Sequence, residues 1–389
     1  MTRSAPRISG RREGSGHNTY RFWSARYWHG MEFPAYLRLL VRNRARVSPR
    51  RFPLAISIFW TSLAMSGLAA IQGRRFGRRL ASVEVPDPIF ILGHWRSGTT
   101  LLHELLALDE RFAAPTYADA IIPRQFLVLG PLIRRLRFLI PAQRPMDEMS
   151  LSLASPAEDE TALFNRGLPS PYLTIAFPNE PPADDEYFDL ETVTVAERER
   201  WKAGLVDFLR GLTYERPARL LLKSPTHTGR IRILLELFPN ARFVHIVRDP
   251  DRLFASTKRL WQALYETQSL QLPNHDGLEE YILRCFERMY GAFEAQRGLI
   301  PEGRIVDLRY EDLVRDPVAQ LRIVYGRLEL GGFEEVEPAI RAYFAKRPDY
   351  RTNPYVRDPA VDAAIDGRWR PFMSRYGYAS RGAPAAGAD

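Results

Sequence analysis

The stretch Pro88 to Leu106, PIFILGHWRSGTTLLHELL, constrains this chain more than any other. Residues 88–92 form a short apolar run with β-branched and aromatic side chains, the pattern of a buried parallel strand. Gly93 and Gly98 bound a tight loop. Thr99 then opens a run whose apolar positions, Leu101, Leu102, Leu105 and Leu106, have helical spacing. A strand, a glycine-bounded loop and a helix N-terminus make an anion cradle, because backbone N–H groups converge there and the helix dipole adds positive potential. The spacing is that of a phosphate-binding loop, G-x-x-x-x-G, but the Lys expected after the second Gly is Thr99, and the cation has moved into the loop as Arg96. A nucleoside-triphosphate site relies on that missing Lys.

Charge is segregated. Residues 1–51 hold twelve Arg and two Glu, a net of +10 against +9 for the whole chain, so the rest of the chain is near neutral. A nucleic-acid protein carries its charge on the folded face, so no nucleic-acid partner is expected. An Arg-rich arm beside an apolar segment suits an anionic membrane surface; the competing reading of residues 1–20 is a solvated, disordered extension. Pro53 to Gly73 contains no charged residue and is bounded by Arg50-Arg51 and Arg74-Arg75. Its length nears the roughly 20 residues that cross a bilayer. Ser57, Thr61, Ser62, Ser66 and Gln72 dilute it, and Arg on both flanks marks no inside. A helix lying in the interface or over the acceptor pocket is preferred to a spanning one, with a buried core helix as the equal alternative. One cysteine, Cys285, excludes a disulfide framework or a Cys-rich metal site and is compatible with a reducing cytoplasm, with or without peripheral attachment to a membrane.

Three more strands are expected, at 218–222, 243–247 and 304–308, alternating with helices at 230–238 and from Pro250 through Trp261. That alternation predicts a parallel sheet covered on both faces, an α/β fold of three layers. Residues 107–217, broken by prolines and rich in aromatics, read as an insert of lids and binding loops. Ligands in such sheets collect beyond the carboxyl ends of the strands. Arg96, Lys223 and Arg248 stand there, and three cations beside a glycine loop indicate a polyanionic ligand.

These residues resemble the sulfotransferases that use 3′-phosphoadenosine 5′-phosphosulfate. R-S-G-T-T at Arg96 to Thr100 is similar to the family's loop for the 5′-phosphosulfate. Arg248 and Ser256 match its 3′-phosphate pair. The run from Leu220 to Pro250, the later RYEDLVRDP and a Trp–Tyr-rich end, GRWRPFMSRYGY, are similar to the bacterial branch. The resemblance implies a P-loop-like fold and a sulfotransferase domain over 81–380, preceded by a basic arm (1–30) and a helical segment (31–80) and followed by a disordered tail (381–389). It implies that Arg96, Ser97, Gly98, Thr99 and Thr100 hold the donor's 5′ end. Lys223 would stabilise the leaving oxygen, Arg248 and Ser256 would bind the 3′-phosphate, and Arg351, in YRTNPYV, would close over the nucleotide. No metal is expected, since the donor lacks a triphosphate's charge.

The acceptor hydroxyl needs a base. Some relatives use a His just after the strand-two Lys, and His227 fits loosely; others use a Glu after the first helix, where Thr116 and Tyr117 stand here. In Ser155-Pro156-Ala157-Glu158, S-x-x-E reads as a capping box, which makes Glu158 structural. Glu160, at helical spacing from Phe164, and His227 are therefore the expected bases, ahead of His94 and His103. The acceptor expected is a small molecule or lipid with an apolar body. Two other classes share the pattern: a phosphate-loop kinase, which the absent Lys disfavours, and a non-catalytic membrane-associated scaffold.

Overall fold

The computed structural model describes residues 25–135, 154–345 and 359–378. Most of the basic arm, the C-terminal tail, Phe138 and the YRTNPYV segment with Arg351 lie outside these residues.

Five strands form one parallel sheet: β1 (Ile89–Leu92), β2 (Phe112–Ala113), β3 (Arg219–Lys223), β4 (Arg242–Val247) and β5 (Ile305–Arg309). Their spatial order is β2-β3-β1-β4-β5. The four strands expected from sequence are present. The fifth, β2, is a two-residue edge strand, too short to leave a periodic signal.

The three central strands, β3, β1 and β4, are largely apolar because both faces are buried, whereas the edge strand β5 exposes Asp307 and Arg309. Side chains alternate between the faces. Phe90, Leu92, Leu220, Leu222 and Phe243 belong to one cluster. Ile89, Ile91, Leu221, Val244 and Ile246 belong to the other. The second face is covered by α3 (Thr99–Leu106), α11 (Tyr310–Arg315), α12 (Pro317–Arg327) and α13 (Phe333–Ala345). The first carries the rest: α1 (Phe33–Arg42), α2 (Phe52–Ala81), α4 (Tyr117–Ile121), α5 (Phe126–Arg135), α6 (Asp159–Asn165), α7 (Val195–Glu215), α8 (Ile231–Leu237), α9 (Pro250–Gln268), α10 (Leu278–Gln296), α14 (Pro359–Arg368) and α15 (Arg370–Tyr376). The architecture is a P-loop-like α/β/α sandwich.

The N-terminal helices share this core. Trp28, Met31, Tyr36 and Ile58 join the same cluster as the strand residues, and the Trp28 ring lies 5.1 Å from that of Phe164 on α6. At the other end, Trp369 stacks on Phe286 of α10 with ring centroids 3.8 Å apart. The C-terminal aromatic run is therefore packing material.

Candidate active site

β1 lies between β3 and β4, so the chain crosses to opposite sides of β1, and the carboxyl ends of these three strands face one crevice. Lys223, the last residue of β3, pairs in register with Ile91 of β1. Arg248 directly follows β4. The loop Gly93–Gly98 rises between them.

The loop's glycines are required. Gly93 and Gly98 have φ of +145° and +107°, a region that side chains disfavour. A Cβ on Gly93 would lie 2.5 Å from the Ile246 carbonyl oxygen, and one on Gly98 would lie 2.4 Å from the Tyr310 ring. Ser97 Oγ donates to the His94 carbonyl at 2.8 Å, so it braces the loop. The Gly93 N–H is taken by Thr228 Oγ1 at 2.8 Å. Arg96 holds a left-handed backbone, φ +66°. Thr99 and Thr100 begin α3 directly after Gly98, its N-cap.

Arg96, Arg248 and Ser256 form one cluster. Arg96 Nε donates to Ser256 Oγ at 2.8 Å, and Arg248 Nη1 donates to the Arg96 carbonyl at 2.9 Å. Arg96 thus sits with the two residues that the resemblance assigns to the 3′-phosphate, rather than apart from them. The Arg248 guanidinium lies 4.2 Å from the Tyr310 ring centroid, which gives the Tyr of RYEDL a purpose: one face supports Arg248 and the ring closes over Gly98. Glu311 accepts from the Asp249 N–H at 3.0 Å and fixes the start of α9.

Arg259, an exposed residue that the sequence pattern does not single out, stands close enough to this cluster to feel its charge. It lies three residues beyond Ser256 on α9, hence on the same helical face. Partial burial and the charges of Arg96 and Arg248 lower its pKa. Guanidinium groups crowded this way repel one another, and a phosphate would relieve the repulsion. The donor set therefore fits a ligand carrying phosphate groups. The described residues contain no cluster of His, Cys, Asp and Glu able to hold a metal ion.

The second half of the site is a ladder of acid–base pairs. Three consecutive acids at the start of α6 meet three bases after β3. Glu158 Oε1 accepts from Lys223 Nζ at 2.7 Å, Asp159 Oδ2 lies 2.5 Å from His227 Nε2, and Glu160 Oε2 accepts from Arg230 Nη1 at 2.6 Å. Burial deepens down the ladder. The Glu158 side chain is 24% exposed, whereas Asp159, His227, Glu160 and Arg230 are fully enclosed.

The ladder places the two expected bases, Glu160 and His227, in buried ion pairs. Glu160 accepts from Arg230 on both oxygens, from Ser170 Oγ at 2.5 Å and from Thr226 Oγ1 at 2.8 Å. Burial alone would raise its pKa, but Arg230 and these donors hold it below the ordinary 4.5. A buried carboxylate saturated with donors is a structural anion. His227 is locked to Asp159 and packed edge-on against Phe90. The carboxylate beside Lys223 is Glu158, and the capping-box reading of that residue fails: it is itself the N-cap of α6, and its side chain makes no capping bond. His94, fully buried, has its pKa pulled down to about 3 by desolvation and stays neutral. His103 is buried with Nε2 3.3 Å from the Leu221 carbonyl.

A relay fixes the polarity around Glu158. Trp95 Nε1 donates to Tyr172 Oη at 2.7 Å, and Tyr172 Oη donates to Glu158 Oε2 at 2.5 Å. Burial and the neighbouring Glu158 push the Tyr172 phenol well above its ordinary value, so it remains a donor. A carboxylate held between an ammonium and a phenol can take a proton from a hydroxyl entering the same crevice.

A model of the sulfotransferase family matches residues 88–335, which contain the loop, Lys223, Arg248 and RYEDL. This chain belongs to that family. The sulfotransferase is similar over most of its length to a curated relative. Omega-hydroxy-beta-dihydromenaquinone-9 sulfotransferase Stf3 of Mycobacterium bovis is 44% identical over 368 residues, 94% of this chain and 95% of the relative. The protein of the same name from Mycobacterium tuberculosis matches to the same extent. Among solved structures, sulfotransferase STF1 of Mycobacterium tuberculosis H37Rv superposes with a TM-score of 0.62 at 19% identity, covering 86% of this chain and 90% of that one. STF9 of Mycobacterium avium gives 0.57 at 17%, covering 91% and 98%. These two likenesses establish the fold.

The ladder carries a stability prediction for this sulfotransferase. Glu160→Gln leaves Arg230 buried without its counter-charge and should cost about 3–5 kcal/mol in denaturant unfolding. Because the folded pKa of Glu160 lies below 4.5, its contribution is complete above that pH and fades as pH falls toward the folded value. The variant should therefore show a flatter acid limb than the parent when midpoints are followed downward from pH 6.

Proposed function

We propose that this enzyme transfers a sulfuryl group from 3′-phosphoadenosine 5′-phosphosulfate to a hydroxyl on a lipid-like acceptor of the hydroxylated prenylquinone class. The observation that carries the reading is the Lys223–Glu158 pair at the strand ends beside the loop. It supplies the two groups such a transfer requires, within hydrogen-bond distance of each other. The acceptor oxygen forms a bond to sulfur as the bond from sulfur to the 5′-phosphate oxygen breaks. The hydroxyl proton passes to Glu158. The Lys223 ammonium, released from Glu158, follows the negative charge onto the leaving phosphate oxygen. The N–H groups of Gly98, Thr99 and Thr100 bind the 5′ end. Arg96, Arg248, Ser256 and Arg259 bind the 3′-phosphate and reject donors that lack it.

The acceptor class is supported by the named activity of the relatives at 44% identity and by the aromatic wall of Trp95 and Tyr172 beside Glu158. A single buried cysteine suits work in the cytoplasm, peripheral to the membrane that stores such acceptors. Arg351 closing over the nucleotide remains part of this proposal.

The test is incubation of the purified chain with phosphosulfate donor and a menaquinone bearing a terminal hydroxyl, beside the same quinone without it, followed by mass analysis. Sulfate should appear on the hydroxylated compound alone. Donor turnover with no sulfated quinone would refute the acceptor assignment.

A further inference from the structure

Helix α2 buries polar residues and exposes large apolar ones. Its inward face carries polar side chains tied to the protein, alongside the buried Ile58 and Ala69. Ser66 Oγ accepts from the Phe33 N–H at 2.8 Å, Gln72 Oε1 accepts from the Leu127 N–H at 2.9 Å, and Ser57 Oγ lies 3.1 Å from His29 Nε2. Ser62 and Gln72 are buried. The outward face is apolar. Phe52, Ile56, Phe59, Trp60, Leu63 and Ile71 recur at helical spacing, all exposed, with Ile56 at 58% and Trp60 at 65%. The positions between them on that face are Ala64, Gly67 and Ala70, so it carries no polar side chain over some five turns. α1, which packs beside it, adds Leu37 and Val41, also exposed. Water is a poor solvent for such a surface.

The charges that α1, α2 and their connection carry have one sign. Residues 33–83 contain ten Arg and no Asp or Glu. The stripe runs directly into Arg74, Arg75 and Arg78 at one end, and Arg50 precedes it at the other. Arg74, Arg75, Arg78 and Arg79 have no carboxylate partner among the described residues; Arg79 reaches only Tyr214 Oη at 3.5 Å and Arg75 lies over Phe76.

We infer that α2 docks this sulfotransferase in the plane of a bilayer containing anionic lipid, with the Phe52–Ile71 stripe among the acyl chains and the flanking Arg side chains at the phosphates. An apolar face of about 30 Å, with cations at its ends and no acid on either helix, complements such a surface. The helix is long and apolar enough to span. Spanning would strip the inward face from α1, α5 and the turn at Tyr27–Gly30, and would leave Ser57, Ser66 and Gln72 in hydrocarbon. Trp28 on that same turn packs against Phe164 of α6, the helix that Glu158 caps, so docking at α2 would turn the α6 side of the site toward the bilayer that holds the acceptor. This last step rests on the lipid-acceptor reading; the docking does not.

The experiment is flotation of the full chain with vesicles of phosphatidylcholine, alone and mixed with phosphatidylglycerol, at low and high salt. The parent should float with the mixed vesicles, and should do so less as salt rises. Ile56→Glu/Trp60→Glu, which changes only exposed side chains, should partition at least about tenfold more weakly while sulfating a short-chain, water-soluble hydroxylated acceptor at the parent rate. Alkaline carbonate should release the bound parent. Three outcomes overturn the docking: a parent that does not float, a double variant that floats equally well, or a parent that forms a dimer the variant dissolves. Resistance to carbonate would overturn the in-plane geometry. Vesicle binding without any sulfated lipid would instead sink the acceptor reading and leave the docking standing.

Discussion

Glu158→Gln should lower transfer by about 10²–10⁴-fold, the range that a positioned general base contributes. The side chain is partly exposed, and the Gln carbonyl oxygen can still accept from Lys223 while its NH2 turns toward the Tyr172 hydroxyl, so the fold should survive. Binding of adenosine 3′,5′-bisphosphate should be unchanged, because none of the residues proposed for the 3′-phosphate touches Glu158. Initial rates beside calorimetry of that ligand separate the two effects. Glu160→Gln is the matched control: it damages stability rather than the chemical step. If Glu158→Gln turns over at the parent rate while Glu160→Gln is folded and inactive, the base has been placed two rungs of the ladder too high.

Lys223→Ala should reduce kcat by about 10²–10³-fold, the loss typical when one charge-stabilising donor is removed from a dry site. Its side chain is only 4% exposed and its ammonium is held by Glu158, so under the proposed mechanism it would act on the leaving oxygen from a fixed position. The truncation also strips Glu158 of its partner. The double variant should therefore lose less than the product of the two single losses, as residues that act as a unit do. Strict additivity would mean that the two side chains work apart. A non-catalytic scaffold would show donor binding, no turnover in the parent, and no kinetic effect of either change.

The sheet, and the meeting of the glycine loop, Lys223 and Arg248 at its strand ends, are legible in the sequence for a physical reason. Strands buried on both faces must be continuously apolar, so their ends are sharp, and the groups just beyond those ends stand in plain order: the loop, Lys223 and Arg248. The acceptor half was obscured because its signal is long-range. Glu158, Asp159 and Glu160 look like an acidic first turn, which any helix favours. Only the spacing of Lys223, His227 and Arg230, one partner for each acid, marks them as half of a ladder. Local capping logic claimed Glu158, and apolar spacing claimed Glu160, because neither rule sees a partner some 65 residues away. Arg259 was missed for the opposite reason, as one exposed arginine among many on a helix, until Arg96 and Arg248 gave it neighbours. Ser57, Ser66 and Gln72, which dilute the segment at 53–73, are the residues that tie it to the rest of the protein.

The central claim is that cations gathered from neighbouring strand ends grip a nucleotide phosphorylated at both ends of its ribose. Calorimetric comparison of adenosine 3′,5′-bisphosphate with adenosine 5′-monophosphate, on the parent and on Arg248→Ala, tests it most directly. The account predicts that the parent prefers the bisphosphate by about tenfold to a hundredfold, the worth of a charge-assisted bond or two, and that the variant loses most of that preference. Equal affinities in the parent, or an undiminished preference in the variant, would contradict it.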